Sequence, residues 1–376
     1  MKRVPRSISR PASSSAINLS GWKWSSASRE PSGNQYPESS TMKPSMNDIT
    51  LVAETAFSHE GDLAYLQKQV EGAAKGGADA IKFQILLEPE QYFAAGHPSL
   101  ARIADMVFNL QEWDEVINLA VSLGLKVVAL PLEEAAFRYC LERASLIGAV
   151  ELHSVCFHDL HLQEMLKEWP GTKIIGIGGR SLVEVMQLLE ALSSDYGDIV
   201  LMAGFQSFPT RLADLELAKL ARFAAASGCT MGYADHTAYD DAIYHQLNAF
   251  AYLLGASWFE KHLVEKAGES RTDYESAVDW REFQRIKDHF QELFACLGEG
   301  DAEKLNEREV IYRNREKSLV AAESLAAGDV FTSANLACRV LARKDGKSGR
   351  HFSEIVGHRS VRAIKSGEMI RMQDVE

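Results

Sequence analysis

Gly232-Tyr233-Ala234-Asp235-His236-Thr237 and, one helix later, Glu260-Lys261-His262 frame the stretch on which the reading of this chain turns. Each motif ends a short apolar run, so each histidine falls where a strand stops and a loop begins. Gly255 closes the intervening helical segment just before the second run. Successive strands separated by a helix run parallel, which brings their ends to the same side of a sheet. Two imidazoles delivered in that way can converge on one metal ion.

The same unit recurs upstream. Short apolar runs at Thr50–Ala56, Asp79–Ile85, Lys126–Leu132, Ala149–Ser154, Lys173–Gly178, Ile199–Phe205, Cys229–Ala234 and Ser257–Val264 alternate with longer amphipathic segments. Between the first two, Asp62 is placed to cap a helix whose Leu63, Leu66, Val70 and Ala73 share one buried face. Glycines at Gly76-Gly77, Gly124, Gly148 and Gly228 end helices ahead of the next strand. Eight strands with helices between them, over about 250 residues, predict a (β/α)8 TIM-type barrel spanning 48–297. A doubly wound open sheet is the alternative, disfavoured because no GxGxxG turn follows the first strand. In either fold functional side chains stand just past the carboxyl ends of the strands.

On both sides of the barrel the composition changes. Residues 1–47 are rich in Ser, Pro, Arg and Lys, with Glu30 and Glu38 as their acids, and show no hydrophobic periodicity. Such a segment buries too little apolar surface to offset its ordering entropy, so a disordered tail is expected. A transit peptide, or an over-extended start with Met42 or Met46 as the initiator, are the alternatives. Residues 298–316 are charged and aperiodic and read as a linker. Residues 317–376 show an internal echo. Ser318-Leu319-Val320-Ala321 with Ala327-Gly328-Asp329-Val330-Phe331 parallels Ser360-Val361-Arg362-Ala363 with Ser366-Gly367-Glu368-Met369-Ile370. Each copy predicts a strand, a glycine turn and a second short strand in a small β-rich module.

Bulk properties narrow the function. Of 376 residues, 46% are hydrophobic and 24% charged, ordinary for a globular chain. No apolar run approaches the roughly 18 residues of a membrane span. A net charge of −12 argues against a nucleic-acid binder. Cys140, Cys156, Cys229, Cys296 and Cys338 show no CxxC spacing, which suits buried thiols in a reducing compartment, with the cytoplasm expected.

The predicted strand ends are unusually polar. They carry Glu54, then Lys82 and Gln84, then Ser154, the Gly176–Arg180 turn, Gln206–Thr210, Asp235-His236 and Glu260-Lys261-His262. Polar groups within apolar strands are costly to bury unless paired, and their repetition at one end of the sheet points to a site. His236 and His262 are candidate ligands for a divalent ion of the Mn, Fe, Co or Zn group. Lys82 suits a phosphate or carboxylate, or an ion pair with Glu54 on the adjacent strand. Glu54 suits binding hydroxyls or general acid–base work. Asp235 and Asp273 read as orienting or capping residues, and Asp235, beside the histidine, joins Glu54 in the candidate catalytic set.

In combination these residues resemble the sialic acid synthase family, from about Ile49 to Glu376. Ala53-Glu54-Thr55-Ala56-Phe57-Ser58-His59-Glu60-Gly61-Asp62-Leu63 is similar to its AEIGxNHxGD phrase, and Gly76-Gly77-Ala78-Asp79-Ala80-Ile81-Lys82-Phe83-Gln84 to AGADAVKFQ. Phe208-Pro209-Thr210 resembles YPT, Gly232–Thr237 resembles GYSDHT, and Glu260-Lys261-His262 with Gly255-Ala256 resembles the LGA…EKH element. The resemblance implies a barrel that condenses phosphoenolpyruvate with an N-acyl sugar aldehyde, using a divalent ion, manganese most often. It implies His236 and His262 as metal ligands and Glu54 on the sugar. Lys82, Gln84, Ser154, Gln206 and Phe208 then belong to substrate binding. The last module resembles the antifreeze-like (SAF) domain, which in the family caps the partner's barrel in a swapped homodimer and lends an arginine; Arg339 and Arg343 are the candidates.

Several positions differ from the family pattern. Glu151-Leu152-His153-Ser154 stands where KIxS is expected, Gly176-Ile177-Gly178-Gly179 where STGM is expected, and Gln206 and Phe208 replace an Asn and a Tyr. The third strand ends in Ala129-Leu130-Pro131 rather than a hydroxyl pair, and Ala234 replaces a serine. A carboxylate beside a phosphate is repulsive. The alternatives are therefore a non-catalytic sugar-binding relative, or an aldolase or lyase on the same barrel that does not use phosphoenolpyruvate.

Overall fold

The apolar runs fold as eight parallel strands: β1 Thr50–Glu54, β2 Ala80–Ile85, β3 Lys126–Pro131, β4 Ala149–Leu152, β5 Thr172–Gly176, β6 Ile199–Ala203, β7 Thr230–Asp235 and β8 Ala256–Leu263. Each pairs with the next, and β1 pairs with β8 through Thr50↔Trp258 to Glu54↔His262, so the sheet closes. Closure excludes the open doubly wound alternative. The computed structural model describes residues 43–192, 197–205, 207, 209–342 and 347–376. Residues 1–42, most of the expected tail, lie outside the described residues.

Side-chain alternation divides the barrel wall into two faces. Val52, Ala80, Val128, Ala149, Ile174, Val200, Met202 and Ala234, with Trp258, form a cluster inside the barrel. Leu51, Ala53, Ile81, Phe83, Val127, Tyr233, Phe259 and Leu263 belong to the larger core between sheet and helices. Two residues beyond several members of the inner cluster stand the polar groups Glu54, Lys82, Glu151 and His236. The apolar plug therefore ends where the polar centre begins.

Helices between strands cover the outer face. Asp62 caps helix Leu63–Lys75 by accepting from the Tyr65 amide, and Leu66, Val70 and Ala73 are buried beneath it. Several strands stop earlier than the sequence suggests. β4 ends at Leu152 because His153 accepts from the Val155 amide and starts a 3-10 turn at Ser154–Cys156. β6 ends at Ala203, ahead of Gly204 with φ 150°. A two-residue strand, β9 Ala277–Val278, pairs with β8 beyond the closed ring.

The charged stretch after the barrel is not wholly irregular. Helix Glu307–Arg313 forms within it, with Asn306 and Glu309 in a reciprocal capping box. Its residues are exposed, so no apolar stripe betrays it in the sequence.

The last module is a small fold with its own core of Leu319, Ala321, Leu325, Phe331, Leu336, Ile355, Ile364 and Ile370. Strands β10 Ser318–Ala321 and β11 Leu336–Arg339 run antiparallel. The internal echo has a structural counterpart. Leu325 and Ile364, equivalent positions of the two copies, pair with each other through reciprocal backbone hydrogen bonds of 2.8 and 2.9 Å. Phe331 and Ile370, also equivalent, both enter the core. The second copy contributes isolated bridges, Val320↔Met369 and Ser360↔Val375, in place of full strands.

Candidate functional site: a buried carboxylate–lysine–histidine centre

At the carboxyl ends of β1, β2, β4, β7 and β8 the structure gathers Glu54, Lys82, Gln84, Glu151, His236, Glu260 and His262, all buried. Lys82 is at the middle. Its ammonium lies 2.6 Å from Glu260, 3.0 Å from Glu151 and 3.3 Å from Glu54. Burial disfavours that ammonium, but the three carboxylates outweigh burial and hold its pKa above the ordinary lysine range. Three carboxylates against one ammonium leave a formal excess of two negative charges. That excess shows in the acids. Burial pushes Glu260 well above the usual carboxyl range, Lys82 works against the shift, and Glu54 and Glu151 add to it. Burial likewise raises Glu151. For Glu54 burial acts in the same sense, but Lys82 and His262 overcome it and keep the carboxyl well below its usual range.

Glu54 is held at both oxygens. Gln84 donates to Oε1 at 2.8 Å, and His262 Nε2 lies 3.1 Å from Oε2. The rings of His236 and His262 meet edge to face with centroids 5.0 Å apart. One ligand atom each from Glu54, His236 and His262 can be chosen so that all lie within 4.8 Å of one another. Burial, then the neighbouring His262, lowers His236 to about 3, so its imidazole is neutral at pH 7. Two imidazoles with an ionised carboxylate, facing a local negative excess, fit a divalent cation.

Asp235 does not join this centre. It follows the inward Ala234 and faces the helices, where it accepts from Lys261 Nζ at 2.9 Å and from the Thr237 amide and hydroxyl at 2.9 and 2.7 Å. Lys261 also donates to the Thr237 carbonyl at 2.9 Å. Lys261 and the Thr237 bonds lower the Asp235 carboxyl against the effect of burial. The pair braces the loop that carries His236, whose own carbonyl accepts from Ser276 Oγ and the Thr210 amide. Asp235 is thus paired with Lys261 and the Thr237 loop, on the strand face opposite Ala234 and Glu260.

Ser154 is half-buried, and its carbonyl accepts from Arg180 at 2.8 Å. Asp273 adopts a left-handed backbone, φ 64°, beside the turn Tyr274–Ser276. Arg339 is exposed at the end of β11 and donates to the carbonyl of Cys338. Gln206, Phe208 and Arg343 lie outside the described residues.

Sequence reasoning missed Glu260 as the nearest carboxylate to Lys82. Strand alternation was the available signal, since in Glu260-Lys261-His262 the first and third residues must share the inward face while the second points away.

A closed eight-stranded barrel with a polar, two-histidine centre at its strand ends, followed by a small β module, defines the class of protein. Residues 69–302 match the model of the NeuB family and residues 316–376 that of the SAF domain. The chain belongs to the NeuB family and is a sialic acid synthase-like enzyme. It is 23% identical over 345 residues to a pseudaminic acid synthase of Campylobacter jejuni, covering 87% of this chain and 97% of that one. An N,N'-diacetyllegionaminic acid synthase of the same species is 23% identical over 347 residues, covering 87% of this chain and 100% of the relative. The solved N-acetylneuraminic acid (sialic acid) synthetase of Leptospira borgpetersenii superposes with a TM-score of 0.64 at 20% identity, covering 72% of this chain and 92% of that one.

Proposed function

We propose that the protein is a metal-dependent carbon–carbon bond-forming enzyme that joins a three-carbon enol donor to an N-acyl sugar aldehyde, giving a nonulosonic acid. The observation that carries this reading is the grouping of Glu54, His236 and His262 beside Lys82 at the barrel's strand ends. The named relatives make pseudaminic and legionaminic acids, which supports the product class. Phosphoenolpyruvate is the donor suggested by the family, and the three carboxylates around Lys82 favour a second reading, a donor without phosphate.

Glu54, His236 and His262 would hold the ion, with manganese the first choice. Bound there, it supplies a Lewis acid that polarises the aldehyde oxygen. The protein's own residues do the rest. Gln84 fixes the orientation of the Glu54 carboxylate. Lys82 draws the three carboxylates together, and the Asp235–Lys261 pair keeps the His236 loop in place. Burial of the whole set excludes water from the reacting carbon atoms.

A swapped homodimer in which Arg339 or Arg343 reaches the partner's barrel is part of this reading, as is a cytoplasmic location. Free thiols at Cys140, Cys156 and Cys229 support a reducing compartment. Among the described residues no helix is long and apolar enough to cross a membrane.

The test combines metal analysis with product detection. The purified protein is expected to hold one divalent ion, which the His236→Ala/His262→Ala variant loses. With a panel of N-acyl sugars, Mn2+ and either phosphoenolpyruvate or pyruvate, mass spectrometry is expected to find a nine-carbon acid. Full metal occupancy in the double variant, or no product with any pairing, would refute the proposal.

A further inference from the structure

The position of Glu151 decides what kind of donor the centre admits. Its Oε2 takes the Lys82 ammonium at 3.0 Å while the residue itself is buried on β4. On the next strand, β5, the register partner of Glu151 is Ile174, and Gly176 stands two residues further along beside the carboxylate. A Cβ added there would come 2.8 Å from the Ser154 amide nitrogen and 3.3 Å from Glu151 Oε1. The glycine leaves space between β4 and β5, and the Glu151 carboxylate occupies it. One end of the side chain's carboxylate thus faces Lys82 and the other faces Gly176.

Other cations near these strand ends are engaged as well. Lys261 is held by Asp235 and the Thr237 carbonyl. Arg180 donates to the Ser154 carbonyl and lies over the Phe157 ring. Among the described residues the inward centre therefore offers a substrate one lysine and three carboxylates. A divalent ion cancels the formal excess of two negative charges. A phosphorylated enol brings about two charges on its phosphate and one on its carboxylate. An unphosphorylated 2-oxo acid brings one.

We infer that Glu151 is an internal substitute for a substrate's phosphate, and that the donor is an unphosphorylated 2-oxo acid of the pyruvate type. This rests on the carbon–carbon bond-forming reading above. The step balances without an outside reagent. A C–H bond of the donor's methyl carbon breaks, and that carbon bonds to the aldehyde carbon. The aldehyde oxygen, becoming a hydroxyl, gains a proton in place of the one lost from carbon. Nothing is oxidised or reduced, and no phosphate leaves.

Binding separates this inference from the reading beneath it. Isothermal titration of the Mn2+-loaded full-length protein would use pyruvate, oxalate as a planar mimic of its enolate, phosphoenolpyruvate and inorganic phosphate. Wild type is expected to bind pyruvate or oxalate at least tenfold more tightly than phosphoenolpyruvate. Glu151→Gln, which keeps the shape, is expected to improve phosphoenolpyruvate affinity about tenfold, and Glu151→Lys further. Equal phosphoenolpyruvate affinity in wild type and Glu151→Gln would overturn the inference. So would its absence from all three proteins, or a failure of wild type to bind either pyruvate or oxalate. Phosphate release from phosphoenolpyruvate by wild type, with a nine-carbon product, would also overturn it while leaving the proposed reaction class intact. If neither donor yields product, the reaction class fails, and the affinity ratios still decide the role of Glu151.

Discussion

Asp235 and Lys261 are register partners on β7 and β8, and their side chains form a 2.9 Å ion pair on the helix-facing side of the barrel wall. Their neighbours Ala234 and Glu260, also register partners, point the other way, toward the centre. One pair of strands therefore carries the reactive groups on one face and their brace on the other. Removing one member of a buried pair leaves an uncompensated charge. Asp235→Ala is expected to cost about 3–5 kcal/mol in denaturant unfolding. The Asp235→Ala/Lys261→Met double variant should lose less than the sum of the two single changes. Additive losses would show that the pair is not coupled.

Gln84 donates to Glu54, which makes it a test of how that carboxylate is oriented. Gln84→Leu removes the 2.8 Å bond to Glu54 Oε1. Loss of a bond that orients a ligand commonly weakens metal binding about 10–100-fold. Competition with a chromogenic chelator measures this, and an unchanged Mn2+ affinity would remove Glu54 from the ligand set.

Gly176→Ser tests the packing of Glu151. The added Cβ would press on the Ser154 amide nitrogen at 2.8 Å and on Glu151 Oε1 at 3.3 Å. Overpacking of this kind costs about 1–3 kcal/mol. The Glu151→Ala background should relieve part of that loss, since the side chain then gives way. Thermal unfolding of the four proteins closes the cycle, and an identical penalty in both backgrounds would place the clash elsewhere.

His59 offers a pH signature outside the Glu54, His236 and His262 group. Burial, with Arg271 adding to it and Asp62 opposing, lowers its pKa to about 4. An unfolded histidine titrates near 6.5. Between those values the unfolded chain takes up a proton that the folded chain refuses, so stability falls as pH falls. The loss begins near pH 6.5 and reaches about 3 kcal/mol below pH 4. In His59→Gln the slope of unfolding free energy against pH should flatten across that window. An unchanged slope would mean that His59 titrates normally when folded.

Much of the centre was legible before any coordinates. The runs ending in Lys82, His236 and Glu260-Lys261-His262 are short and apolar, and a polar residue at the end of such a run is costly unless it serves a site. The linker helix Glu307–Arg313 was not legible, because an exposed helix carries no apolar stripe. Nor was the partner that Asp235 orients against, Lys261, because a pairing between two strands is set by their register and not by residue spacing.

The sequence by itself determined the alternation of strand and helix, the two histidines at strand ends and the echo in the last module. Those are local properties, written in residue spacing. Only the tertiary structure decided that Lys82 meets Glu151, 69 positions away, as well as Glu54 and Glu260. Closing β1 onto β8 sets which strand ends converge, and burial forces each charge there to find its counterpart. The identity of that counterpart turned a lysine suited to a phosphate into one already matched by the protein's own carboxylate.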